Sequence, residues 1–203
     1  MSLLSAALAL LVLIAGGPVG AAQDIDARLE AFQQFCLPHR LDPRATVAVF
    51  ERAGWSIATE DAHPELPALI RLDREQAAAG EAVSETVTLQ GEVQGEVLFA
   101  TVNTLTAEIS EDETARYGTC AIWDFDAAAP IPDDRISAWT SISPVVRLDS
   151  PAVGRIVQWN MSASLPGAGN LQTSYFPDGS PLLARTGFTG AAIFLTSDLA
   201  ATP

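Results

Sequence analysis

The sequence predicts an α+β domain in which about three N-terminal helices pack on a mainly antiparallel β-sheet of about 6–8 strands. In residues 23–80 apolar side chains recur every three or four positions, which is the period of an α-helix. From residue 81 to residue 203 the period changes to two, and turn-forming residues separate the apolar runs. Because the helices come first and the strands later, we expect helices and sheet to be segregated.

Two boundaries are well marked in the helical part. Asp42 followed by Pro43 combines an N-cap residue with proline at the first helical position. Gly54 suits the position just after a helix, because glycine adopts the left-handed conformation found there. Trp55 follows directly, so we expect its indole ring to pack back over the helix end.

The strands predicted in residues 81–125 are typical of a largely antiparallel sheet in meander order. Val97–Val102 and Leu105–Ile109 are predicted as two separate strands. Pro181–Ala184 is predicted as a strand after a sharp turn, and Ser197–Pro203 as a frayed tail.

The chain contains two cysteines, Cys36 and Cys120. Cys120 lies in an apolar strand, and Cys36 lies on the apolar stripe of the first helix. Two cysteines in an exported chain predict one disulfide, which would fasten the helical half to the sheet half. The alternative is a pair of buried free thiols. The stripe consists of Ile25, Leu29, Phe32 and Cys36.

Residues 1–22 carry no charged side chain and include an apolar run from Leu3 to Ile14. This pattern predicts a secretory signal peptide cleaved after Ala22, which leaves residues 23–203 as a single domain. The run is short for a transmembrane helix, so we expect no transmembrane span in the mature protein and a periplasmic or secreted location. An uncleaved N-terminal anchor is the alternative, because no Lys or Arg precedes the run.

The formal charge of −14 arises from 25 acidic and 11 basic residues, and every basic residue is arginine. Such an acidic protein is unsuited to nucleic acid or anionic membrane surfaces, which require clustered positive charge. The lack of lysine excludes Schiff-base chemistry and a phosphate-binding loop lysine.

No catalytic, cofactor or metal motif stands out. His39 and His63 are the possible general bases, but neither has a recognisable nucleophile partner, and we expect surface or helix-cap roles. No Gly-x-Ser-x-Gly elbow is present. Three tryptophans of the strand region would form a ligand-binding surface only if they faced one way; these are Trp123, Trp139 and Trp159.

Four aspartates cluster around one predicted loop: Asp124, Asp126, Asp133 and Asp134. They lack the regular spacing of oxygen ligands in a calcium-binding loop. We therefore expect a solvated acidic loop rather than a cation site.

A few motifs resemble those of a group of small uncharacterised exported proteins of proteobacteria. They are Phe32-x-x-x-Cys36, then Gly54-Trp55, then Cys120 leading into Trp123-Asp124-Phe125-Asp126. The resemblance implies an envelope location and the same cysteine pairing, and it carries over no activity or catalytic residue.

These observations predict an exported, soluble, non-catalytic envelope protein. It would bind a small apolar ligand or an envelope protein partner between the helices and the sheet. One alternative is a secreted hydrolase of unrecognised type that uses His39 or His63 with a distant Ser or Asp. Another is a structural protein whose sheet edges pair with a partner.

Overall fold

The computed structural model describes residues 25–79, 83–110 and 113–199. The predicted signal peptide and the last four residues of the predicted tail lie outside these ranges. The described chain forms an α+β fold around one antiparallel sheet of eight strands, which confirms the predicted α+β class and antiparallel sheet. The strands are β1 Ser56–Ile57, β2 Val83–Val93, β3 Glu96–Ser110, β4 Glu113–Asp124, β5 Val146–Ser150, β6 Gly154–Asn160, β7 Ala168–Phe176 and β8 Gly190–Asp198.

The order of strands across the sheet is β1-β2-β3-β4-β8-β7-β6-β5. The first four strands and the last four strands each form a meander, and β8 joins them by pairing with both β4 and β7. The meander predicted for residues 81–125 is confirmed, because β2, β3 and β4 pair in chain order. Strand β5 follows β4 in the chain, yet it lies at the far edge of the sheet.

The helices lie on both faces of the sheet. Their bounds are α1 Ala27–Ala31, continued by a π-helical turn Phe32–Cys36, then α2 Pro43–Arg52, α3 Leu66–Ala79, α4 Asp133–Thr140 and α5 Leu183–Thr186. Asp42 caps α2 as predicted, since its Oδ1 accepts the Ala45 N–H at 3.0 Å. Trp55 is 5% exposed and packs edge-on against Phe50 with ring centroids 4.8 Å apart, as expected.

The main core lies between the sheet and the layer formed by α1, the π-helical turn, α2 and α4. The register aligns one row of apolar residues across four central strands, and none of them is exposed. This row consists of Leu89, Ala100, Ile122 and Ile193. Phe32, Phe35 and Phe50 of the helices pack over it. The burial of these apolar side chains is the main favourable contribution to folding.

Cys36 and Cys120 form a disulfide in this core, and their Cα atoms are 5.5 Å apart. It links the π-helical turn to β4, which is a central strand. The bridge therefore joins the helical layer to the middle of the sheet, as the sequence predicted.

A second, smaller cluster lies on the opposite face of the sheet. Residues at alternate positions in the strands point away from the main core because side chains alternate along a strand. Phe99, Phe125 and Phe176 of this face pack against Leu66 and Leu69 of α3. Consequently α3 lies on the face that the first two helices leave open.

Glycine is required where β8 begins. Gly190 has a φ of +82°, and a Cβ at this position would overlap the carbonyl oxygens of Asp124 and Phe125. Both the conformation and the close approach of the β4 end exclude a side chain. The pairing of β8 with β4, which joins the two meanders, starts at this point.

Three local predictions are wrong. Residues 97–109 belong to one long strand, β3, because Asn103 and Thr104 keep the pairing with β4. Pro181–Ala184 contains a turn and the start of the short helix α5 instead of a strand. Ser197 is 1% exposed and pairs within β8, so the predicted tail starts too early.

Candidate ligand-binding cleft

A cleft with a volume of about 790 Å³ lies on the face of the sheet that carries α3. Strands β3, β4, β8 and β7 form its floor, and α3 and the region of α5 form its two walls. Its apolar lining includes Leu69, Ile70, Leu105, Trp123, Phe188 and Phe194. Cavities of this size are typical of sites that enclose a small organic ligand.

Small side chains in the middle of the floor create the hollow. Thr101 pairs with Ala121 across β3 and β4, and Thr119 pairs with Thr196 across β4 and β8. Large residues stand around them, including Trp123 on the same face of β4. A row of small residues bordered by aromatic rings leaves a gap that the side chains of the sheet cannot fill.

An aromatic cluster closes one end of the cleft. The ring of Phe188 lies edge-on to both Trp123 and Phe176, with centroids 4.8 and 5.2 Å away. The Trp123 Nε1–H donates to Thr101 Oγ1 at 2.9 Å, so its orientation is fixed. Trp123 is only half-buried, and it presents the rest of its surface to the cleft.

The start of α3 is fastened to the loop between α5 and β8. Both carboxylate oxygens of Glu65 accept hydrogen bonds from Thr189, at 2.7 Å from its N–H and 2.8 Å from its hydroxyl. Gly187 passes so close that a Cβ there would lie 3.2 Å from the Ala68 carbonyl carbon. This contact holds the two walls together at the aromatic end.

A polar cluster holds the middle of α3 against the sheet. The Asp73 carboxylate accepts hydrogen bonds from Thr86 Oγ1 at 2.7 Å, from Ser84 Oγ at 3.2 Å and from Asn103 Nδ2 at 3.0 Å. Hydrogen bonds to an ionised acceptor are stronger than those between neutral groups. These contacts hold α3 at its start and at its middle, so the position of this wall of the cleft is fixed by the chain itself.

Asp73 and Arg185 are the charged residues among those that line the cleft in the described part of the chain. The carboxylate of Asp73 is occupied by three donors. Arg185 is exposed on α5, and its guanidinium has no hydrogen bond or ion pair with any residue that the structure describes. The lining therefore carries one carboxylate, which is bonded to the sheet, and one guanidinium, which can receive an anionic group.

His39 and His63 are the two candidate general bases, and in the described part of the chain neither imidazole is bonded to a candidate nucleophile. His39 is exposed, as expected of a surface histidine. His63 stacks on Phe125 at 4.5 Å, and its Nδ1 accepts the Glu65 N–H at 3.2 Å just before α3. Its Nε2 lies 3.9 Å from Asp126 Oδ1. Within the described ranges no Ser, Thr or Cys side chain is bonded to either imidazole, so the hydrolase alternative gains no support from geometry.

The four clustered aspartates divide into two kinds. Asp126 and Asp134 are exposed, as expected for a solvated loop. For Asp133 the expectation is wrong, because its side chain is 9% exposed and forms ion pairs with Arg147 at 2.6 Å and Arg155 at 2.5 Å. Among the residues that the structure describes, no group of three His, Cys, Asp or Glu side chains is placed to hold a metal ion.

The expectation is also wrong for Asp124, whose side chain is 13% exposed and lies 3.5 Å from Arg28. Burial raises the pKa of Asp124 above its ordinary value; Arg28 opposes this shift and Glu96 adds to it. Arg28 also pairs with Asp26 at 2.6 Å and donates to the Ala129 carbonyl at 2.9 Å. These contacts tie α1 to the end of β4, which is a structural role.

Comparison of the chain with family models, curated proteins and solved structures found no match. None of the helices in the described ranges is long and apolar enough to cross a membrane. The cleft is therefore interpreted from its own geometry.

The sequence did not reveal the lining residues as a site. Of the three tryptophans considered together, Trp123 faces the cleft, whereas Trp139 and Trp159 pack in the main core. The alternation of residues in β3 and β4 was the available signal, since it separates the two faces of each strand. It does not indicate which face is covered by helices.

Proposed function

We propose that the protein is an exported, non-catalytic envelope protein that binds one small, mainly apolar molecule in the cleft between α3 and the sheet. The observation that carries this proposal is the hollow of about 790 Å³ beside half-buried Trp123 and Phe194. Binding is favourable when a ligand removes partly exposed apolar rings from contact with water.

The chemistry of the rim supports a ligand with an anionic group. Arg185 at one wall is unpaired among the described residues, and a planar guanidinium matches a carboxylate or phosphate in two hydrogen bonds. Asp73 lies at the middle of α3, where its oxygens are bonded to Ser84, Thr86 and Asn103, so Arg185 is the charged group of the lining that is placed to receive an anion. The proposed ligand class is therefore an anionic amphiphile, with its chain on the apolar lining and its acidic group at Arg185.

Export is the second part of the proposal. The Cys36–Cys120 disulfide suits the periplasm or the extracellular space, where such bonds form and persist. The resemblance to small exported proteins of proteobacteria and the apolar segment in residues 1–22 support the same location.

Titration with decanoate and with 1-decanol tests the ligand class. We expect both to change the fluorescence of Trp123, and the Trp123→Phe variant to lose that change. Arg185→Gln should weaken decanoate binding about fivefold, since an exposed ion pair contributes up to ~1 kcal/mol. Binding of the uncharged decanol should stay the same in this variant.

The apolar site and the anionic group of the ligand are tested by different results. If neither probe binds, the cleft is not an apolar site. If both bind and Arg185→Gln leaves the Kd of decanoate unchanged, the anionic group is wrong while the apolar site remains.

A further inference from the structure

Among the residues that the structure describes, strand β5 forms a free edge of the sheet, since it pairs with β6 on one side and is last in the strand order. Leu148 is 61% exposed and Val146 is 38% exposed. Leu148 pairs with Ile156, which lines the cleft, so both side chains lie on the cleft face and extend its apolar surface to the edge. An exposed apolar edge strand is suited to pairing with another strand.

The sequence of this strand, Val-Arg-Leu-Asp-Ser, is self-complementary. Two antiparallel copies related by a two-fold axis perpendicular to the sheet keep the same faces together, so opposite residues must share a face. If the axis passes through Leu148, then Leu148 lies opposite Leu148 of the second copy. Arg147 then lies opposite Asp149 of the second copy, and this contact occurs twice.

The neighbouring registers are unfavourable. With the axis at Arg147, the two arginines lie opposite each other; with the axis at Asp149, the two aspartates do. Opposite charges that face each other across a strand pair stabilise it, and like charges destabilise it. Among these three registers, the alternation of one cation, one apolar residue and one anion therefore favours the one centred on Leu148.

The charged side chains have surface available for this contact. Arg147 pairs with buried Asp133 at 2.6 Å, yet its side chain is 50% exposed. Asp149 lies 3.6 Å from Arg155, and its side chain is 49% exposed. A second copy would extend these pairs into a network across the edge.

We propose that β5 pairs two copies of this chain, antiparallel and with the two-fold axis at Leu148. The two sheets join edge to edge, and the clefts of both copies open on the same face of the joined sheet. The opposite edge of each sheet is the two-residue strand β1, which is too short to continue the series. The contact therefore closes as a dimer.

Cysteine cross-linking of the full-length protein tests this register. In it the two Leu148 Cα atoms lie about 4.5–5.5 Å apart, within the range of a disulfide. The two Val146 Cα atoms lie more than about 13 Å apart, because four residues separate them along the strands. We expect Leu148→Cys to form a covalent dimer under mild oxidation with copper phenanthroline, and Val146→Cys and the wild type to stay uncross-linked.

Sedimentation equilibrium of the wild type is the independent measurement. We expect the fraction of dimer to rise with protein concentration. A wild type that remains monomeric at its highest concentration would overturn the proposal. So would cross-linking of Val146→Cys as fast as Leu148→Cys, or no covalent dimer from Leu148→Cys.

Discussion

Replacement of Thr119 by Trp should weaken decanoate binding by more than about a hundredfold, or ~2.7 kcal/mol. Thr119 lies at the middle of β4, half-buried on the floor of the cleft, and it pairs with Asn103 and Thr196. An indole at this position would occupy the hollow that the small floor residues leave. A ligand could then enter only by displacing packed side chains. Forcing even a few extra methylene groups into a packed region costs about 1–3 kcal/mol.

Thr114→Trp is the matched control. Thr114 lies on the same strand, is exposed, and is outside the cleft. The Thr114→Trp variant adds the same side chain to the same strand but outside the cleft. It should therefore leave the Kd for decanoate unchanged when both variants are titrated calorimetrically. Equal binding by the Thr119→Trp variant and the wild type would contradict the assignment of the cleft as the binding site.

The double variant Cys36→Ala/Cys120→Ala should lose roughly 4–5 kcal/mol in its free energy of unfolding. The two cysteines are 84 residues apart in the chain, and a cross-link that closes so long a loop restricts the unfolded chain strongly. Both residues lie in the main core, so the loss of two sulfur atoms also reduces packing there. Urea unfolding followed by circular dichroism measures the difference.

The disulfide and the cleft lie on opposite faces of the sheet, which gives this variant a second readout. Below its unfolding midpoint it should bind decanoate with nearly the affinity of the wild type. An unfolding free energy within about 1 kcal/mol of the wild type would show that the bridge contributes little to stability. Loss of binding in the folded variant would show that the two faces depend on each other.

Local signals in the sequence located much of the fold. Asp42 followed by Pro43 starts α2, and Gly54 with its φ of +92° ends it, because capping and left-handed conformations depend on neighbouring residues. The change of the apolar period to two at residue 81 located the start of the long strands, because β2 begins at Val83. The pairing of Cys36 with Cys120 followed from there being two cysteines.

Local sequence patterns did not predict the long-range contacts. The insertion of β8 between β4 and β7 depends on Gly190, whose missing side chain admits the end of β4, and no local pattern identifies that partner. The burial of Asp133 depends on Arg147 and Arg155, which follow it in the chain by 14 and 22 residues. For the same reason the cleft could not be assigned, since its lining comes from α3, α5 and six strands.

Native mass spectrometry of the full-length chain, expressed with its own N-terminal segment and purified from the exported fraction, measures the occupancy of the cleft. The wild type should retain one small molecule after gentle ionisation, or accept one decanoate when it is added, and the Thr119→Trp variant should do neither. Identical spectra of the unliganded chain from both proteins, with and without decanoate, would contradict a ligand-binding function for this cleft.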